Sequence, residues 1–257
     1  MKTIAIIPCR YQSSRFEGKP LALIGEKPMM WHVYQQAISA KSITEAWIAT
    51  DNAQIESVCR ELGLNVLMTS AEHATGTDRV AECAKNIEAD IYVNIQGDEP
   101  FILPESIDAV ALALAESRIP DLAATNGCSF IADEAELTDQ CVVKALFSAS
   151  NLALAYSRLP IPMSYRAPAC YYRQLGLYAF HRHALEYFAN TPQGPVERSE
   201  SVEMYRLVEH GLKVLMVEVA ESGIAVDTPA DLYRARLQFG DFSCSHFEPS
   251  ENLKSRQ

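Results

Sequence analysis

The chain lacks several features that would point to whole classes of function. No apolar run approaches the roughly 18 to 20 residues of a membrane span, and no N-terminal segment shows the charged, apolar and small-residue zones of a secretory signal. The expectation is a cytoplasmic protein without membrane insertion. Positive charge is scarce: 22 Lys and Arg face 33 Asp and Glu, a formal net charge of −11. A nucleic-acid binder or membrane-surface protein would carry a basic face that shows in this total. No GxxxxGK[ST] occurs and no GxGxxG follows the first apolar run, so a P-loop is excluded and a dinucleotide site disfavoured. The 7 cysteines are odd in number and never spaced CxxC, which suggests neither a disulfide framework nor a zinc site. They read as reduced thiols, Cys9 as a small loop filler before a reactive group. His181 and His183 have no third ligand in sight. There is no internal repeat and no low-complexity linker.

What is present is a chain of 257 residues, 48% hydrophobic, able to bury one large core or two small ones. Its first half alternates strand and helix patterns. TIAIIP (3–8) reads as a strand buried on both faces, PMMWHVYQQAISA (28–40) as a helix and AWIATD (46–51) as a strand. AQIESVCRELG (53–63) is a helix closed by Gly63, LNVLMT (64–69) a strand, TDRVAECAKNI (77–87) a helix capped by Thr77, and DIYVNIQGDEP a strand running into a turn. Such βαβ units imply a mostly parallel sheet with helices on both faces, and ligands at the carboxyl ends of its strands. The second half is less regular. Strands are expected at 141–147, 174–180 and 213–219, a helix at 199–210, and a last helix at 228–239 with a Thr cap and Pro at its first position. The Pro- and Tyr-rich stretch 157–173 reads as an extended excursion suited to a dimer contact, and the residues after Gly240 as a flexible tail.

Against the acidic background, IAIIPCRYQSSRFEGKP (4–20) gathers Arg10, Arg15 and Lys19 in a loop leaving the first strand. Fixed cations with a glycine that permits close approach suit a polyphosphate; surface ion pairs with the excess carboxylates are the alternative. Polyphosphate chemistry needs a divalent cation, and hard cations need carboxylates. Asp98 in NIQGDEP, after a Gly97 that lets the backbone approach a ligand, and Asp227 in GIAVDTP both stand at strand ends. Either alone could be a cap or turn former. Together with the basic loop they make a Mg-nucleotide constellation.

IIPCRYQSSRFEGKPL, ATGTDRVAE, VNIQGDEP, YSRLPIP, QLGLYAF and GIAVDTPADL, in this order, resemble the CMP-Kdo synthetases, cytidylyltransferases for 3-deoxy-manno-octulosonate. The resemblance covers about residues 1 to 239. It implies one Rossmann-like α/β domain of the nucleotide-diphospho-sugar transferase type, with 157–205 as sugar-side and dimer region, 240–257 as a tail, a homodimer, and Mg²⁺ and CTP used to make a CMP-sugar and pyrophosphate. By motif, Arg10, Ser13, Arg15 and Lys19 would hold the triphosphate and Thr75, Thr77, Arg79 and Gln96 the nucleoside end. Asp98 and Asp227 would carry Mg²⁺, and Lys19, Asp98 and Asp227 would be catalytic. Arg158, Gln174, Tyr178, Glu203 and Met204 would embrace the acidic eight-carbon sugar. The sequence departs from the family at Gln174, usually His, at Met204, usually Gln, and at Phe16-Glu17, usually Leu-Pro. The first two favour a substrate with an 8-amino group, because a protonated His would repel an ammonium that Gln tolerates. Ordinary Kdo, a sialic-acid-type cytidylyltransferase and a non-catalytic nucleotide-binding module are the alternatives.

Overall fold

The computed structural model describes residues 1–12, 16–220 and 223–240. The first apolar run forms β1 (Thr3–Cys9), buried at every position. A short hairpin, β2 (Leu23–Ile24) and β3 (Lys27–Pro28), leads into α1 (Met29–Ser39). Then β4 (Glu45–Thr50), α2 (Ala53–Glu61), β5 (Val66–Met68), α3 (Gly76–Asn86) and β6 (Ile91–Ile95) continue the alternation. The chain goes on through α4 (Pro104–Glu116), β7 (Leu122–Phe130), α5 (Glu134–Thr138), β8 (Lys144–Phe147) and β9 (Ala153–Ser157). It closes with β10 (Tyr172–His181), α6 (Arg182–Asn190), α7 (Pro195–Glu200), α8 (Tyr205–Val208), β11 (Lys213–Glu218) and α9 (Pro229–Phe239).

The sheet runs β11-β7-β10-β6-β1-β4-β5, with β8 beside β10 and β9 beside β8. β1 is parallel to β4 and β6, β4 to β5, and β11 to β7, while β10 runs antiparallel to both β6 and β7. The expected mostly parallel α/β sheet is present, with its direction reversed at one central strand. Alternate residues of β1 feed two apolar layers: Ala5 and Ile7 pack with Met30, Val33 and Ile107, and Ile4 and Ile6 with Val80, Ala84 and Phe188. Burial on both faces is why β1 and β6 read as unbroken apolar runs.

Several expectations are corrected. The cap of α3 is Thr75, which exchanges hydrogen bonds with Asp78 in a capping box, so Thr77 lies within the first turn. The strand expected at 141–147 starts only at Lys144. The helix expected at 199–210 is two short helices broken at Ser201, which is left-handed (φ 56). The break lets Glu203 turn inward while Arg206 reaches Glu197. Between Ser157 and Tyr172 there is no regular element, as expected for the excursion. The tail after Gly240 lies outside the described residues.

Candidate active site

β1 and β6 are parallel neighbours, so the loops leaving their carboxyl ends emerge on one edge of the sheet. The first loop carries Arg10 and, after Gly18 in a left-handed conformation (φ 68), Lys19 at the head of a short 3-10 turn. The second carries Gln96, Gly97, Asp98 and Glu99. A Cβ on Gly97 would stand 2.9 Å from the Pro8 carbonyl oxygen and 3.0 Å from Cys9 Sγ. The glycine thus lets the turn close on β1. A third segment, ahead of α9, is tied in when Val226 N–H donates to the Asp98 carbonyl (2.9 Å). Thr228 and Asp231 then cap α9 reciprocally, fixing Asp227 just before the helix.

These three segments bring Lys19, Asp98 and Asp227 together. Lys19 Nζ lies 2.7 Å from Asp98 Oδ2 and 3.2 Å from Asp227 Oδ1. Burial alone would lower the Lys19 pKa, but the two carboxylates outweigh it and raise the pKa above the usual lysine value. Carboxylates that converge on one cationic group fit a hard divalent ion. Among the described residues no cluster of three or more His, Cys, Asp or Glu could hold a metal. A pair of acids suits Mg²⁺, which keeps water and phosphate oxygens as its other ligands.

Beside the carboxylates opens a cavity of about 320 Å³. Its walls include Gln96, Asp98, Arg158, Gln174, Tyr178, Glu203 and Asp227, all expected at the site, and also Glu99, Arg173 and Cys141, which sequence reasoning missed. Glu99 is 8% exposed. Burial, then Asp98, push its carboxyl up to about 7, against the pull of Arg173. Its place in QGDEP was the available signal. Tyr178 is raised well above the usual phenol value by burial, then by Glu203. Arg158 donates to the backbone carbonyls of Glu200 and Gln140 (both 2.8 Å). Arg173 pairs with Glu136 (3.2 Å) and Ser129. A second cavity, lined by Arg10, Thr75 and Arg198, shares Ser201, Val202 and Glu203 with the first. Glu203 stands at their boundary, accepting from the N–H groups of Gly76 and Thr77 (3.0 Å each) and from the Thr77 hydroxyl. Burial raises its pKa and these hydrogen bonds oppose the rise.

Other expected residues stand elsewhere. Met204 is fully buried in the apolar layer under the site and lines neither cavity, so it cannot form a wall against a ligand. Arg79 is also fully buried, paired with Asp51 (2.8 Å) and Thr69, because an enclosed guanidinium needs an opposite charge. Thr77 spends its hydroxyl on Glu203 and Asn94. Neither Thr77 nor Arg79 reaches a cavity wall. Cys9 is the last residue of β1 rather than part of the loop, and burial pushes its thiol up, which suits packing rather than reactivity. Ser13 and Arg15 lie outside the described residues.

A mostly parallel sheet reversed at β10 and at the outer strand β9, with a cation-carboxylate cluster at its carboxyl edge, is the architecture of an α/β protein suited to nucleotide transfer. A likeness in fold extends to a cytidylyltransferase of Leptospira borgpetersenii (TM-score 0.64, 17% identity, 94% of this chain and 88% of that one). The cytidylyltransferase family model matches residues 4–215. The 3-deoxy-manno-octulosonate cytidylyltransferase of Solibacter usitatus is 41% identical over 240 residues, covering 93% of this chain and 94% of its own. That of Escherichia coli is 38% identical over 236 residues, 91% and 95%. A solved CMP:2-keto-3-deoxy-manno-octonic acid synthetase complexed with CTP superposes with a TM-score of 0.88 at 37% identity, over 94% of this chain and 99% of that one. The chain belongs to the cytidylyltransferase family, among the 3-deoxy-manno-octulosonate cytidylyltransferases, and is a nucleotidyltransferase.

Proposed function

We propose that the protein transfers CMP from CTP to a 3-deoxy-manno-octulosonic acid bearing an amine at C8, releasing pyrophosphate in the cytoplasm for lipopolysaccharide synthesis. A sugar hydroxyl oxygen attacks the α-phosphorus in line, the new P–O bond forms as the bond to the pyrophosphate oxygen breaks, and the hydroxyl proton leaves to water. Arg10 and Lys19 supply positive charge for the triphosphate, joined by Ser13 and Arg15 of the same loop. Thr75 and Gln96 face the nucleoside. Asp98 and Asp227 are the residues that would hold Mg²⁺, which when bound offsets charge on the leaving pyrophosphate. Mutual proximity makes these groups act as one unit.

The presence of both charge signs on the lining of the 320 Å³ cavity carries the choice of sugar. Arg158 and Arg173 supply positive charge for a carboxylate, and Glu203 on the same lining is an acid that neither Lys19 nor the metal takes up, so both signs are available to a substrate with an acid and an ammonium. Gln174 adds to this. Asn126 Nδ2 donates to the carbonyls of Gly127, Leu175 and Leu177, so its oxygen faces Gln174 Nε2 (2.9 Å). The Gln174 carbonyl oxygen is left as an acceptor for a ligand donor. Ordinary Kdo is the second reading, favoured by the names of the relatives. The exposed Leu159, Met163 and Tyr165 of the excursion are the surface we assign to a homodimer. Pyrophosphate release with CTP and Mg²⁺, measured on both sugars side by side, tests the function. We expect kcat/KM for the amino sugar about tenfold or more above Kdo. Equal or better use of Kdo overturns the choice of sugar, and no release with either overturns the site.

A further inference from the structure

Lys144 is fully enclosed, yet among the described residues no carboxylate hydrogen-bonds it. Its ammonium donates to the backbone carbonyls of Asp139 (2.8 Å) and Val142 (2.7 Å). Across the ladder it is paired with Arg173 on β10 and with Ser157 on β9, the residue before Arg158. Like charges placed opposite each other destabilise a sheet, and a buried cation that no carboxylate hydrogen-bonds costs more still. Burial accordingly lowers the Lys144 pKa, Asp139 opposing and Arg158 adding to the effect. A side chain chosen for stability alone would be apolar here.

The carbonyls it binds belong to the turn that walls the cavity. Cys141, Val142 and Val143 line it, and Gln140 in the same turn supplies the carbonyl that receives Arg158 Nη1 at 2.8 Å. The turn is thus held by a cation on each side, Lys144 within the sheet and Arg158 at the cavity. We infer that Lys144 is a positioning residue for the acidic acceptor: it clips the 139–142 turn and, through the Gln140 carbonyl, sets the guanidinium of Arg158. The ammonium suits this task because it satisfies two carbonyls at once and reaches them along a flexible stem. This rests on reading Arg158 as the partner of the sugar carboxylate.

Steady-state kinetics of the full chain with Mg²⁺, varying CTP and the sugar acid separately, test it. Lys144→Met is expected to raise KM for the sugar acid about tenfold and leave KM for CTP within twofold, with kcat changed less than threefold. In an Arg158→Ala background the same substitution should add less than twofold, since its route is already cut. A parallel rise in both KM values, or the full tenfold increase in the Arg158→Ala background, overturns the inference. Lys144→Gln, which keeps hydrogen-bond donors on a neutral side chain, serves if the methionine variant does not fold. A smaller rise, confined to the sugar acid, is expected, and an unchanged or a parallel pair of KM values overturns the clip. If Arg158→Ala itself leaves the sugar KM unchanged, the reading of Arg158 fails, an outcome distinct from failure of Lys144.

Discussion

The first and the second half of this molecule are held together by different forces. In the first half β1, β4, β5 and β6 are parallel and the contacts are between Ile, Val, Met and Ala on alternating faces. In the second half the short elements β8, β9, α7 and α8 are tied by charged groups. Arg206 bonds Glu197 (2.7 Å) and Asp78 and lies over the Phe188 ring at 3.9 Å, joining α7, α8, α3 and α6. Glu203 caps the first turn of α3, and Lys144 and Arg158 hold the 139–142 turn. The apolar half gives a rigid edge on which to place charges. Directional bonds in the other half fix a cavity wall where regular elements are too short to do so.

The largest effect expected tests the rigid edge. Asp98→Asn or Asp227→Asn should cut transfer by about 10³-fold or more, on the order of 4 kcal/mol, because each keeps its shape and loses the charge that would hold Mg²⁺. The melting temperature should shift by no more than about 3 °C. Activity within tenfold of wild type at saturating Mg²⁺ would remove the metal assignment.

The charged half is broken most directly at Arg206. Arg206→Ala leaves Glu197, 2% exposed, and Asp78 without their partner, and should cost about 3 to 5 kcal/mol. That is as much as a cavity in the apolar half, where Ile7→Ala should cost about 2 to 5 kcal/mol. Urea unfolding of the two variants compares them, and a loss under about 1 kcal/mol at Arg206 would show that the second half does not depend on its ionic ties.

A smaller, pH-dependent effect is expected at the junction of the halves. Glu99 is pushed from 4.5 up to about 7 in the folded chain, by burial and then by Asp98. A carboxyl raised on folding contributes stability in full below pH 4.5, and that contribution is lost as the pH rises through about 7. Glu99→Gln, measured without Mg²⁺, should remove this decline and be about 3 kcal/mol more stable than wild type at pH 8. Identical stability-pH curves for the two proteins would show that Glu99 does not ionise in this window.

The strands β1, β4 and β6 were legible because residues buried on both faces must be apolar, and α9 because Thr228 and Pro229 announce it. α6 was not, since it starts straight off β10 at His181 with no capping side chain. β7 was missed because Asn126 and Gly127 interrupt its apolar pattern; Asn126 is tolerated there only because the carbonyls of Leu175 and Leu177 receive its amide. At the site, Lys19, Asp98 and Asp227 could be named from their motifs, although Asp227, expected at a strand end, stands instead just before α9, with β11 ending at Glu218. Their meeting could not, because it depends on a hydrogen bond from Val226 to Asp98 across 128 positions of chain. Local pattern thus determined the elements of the parallel half and the types of chemical group at its edge. The tertiary structure decided which side chains face the cavity: it sank Met204 and Arg79 into the interior and brought Glu99 and Arg173 to the wall. The physical reason is that period and propensity act between neighbours in sequence, whereas a buried charge goes wherever the fold supplies its partner.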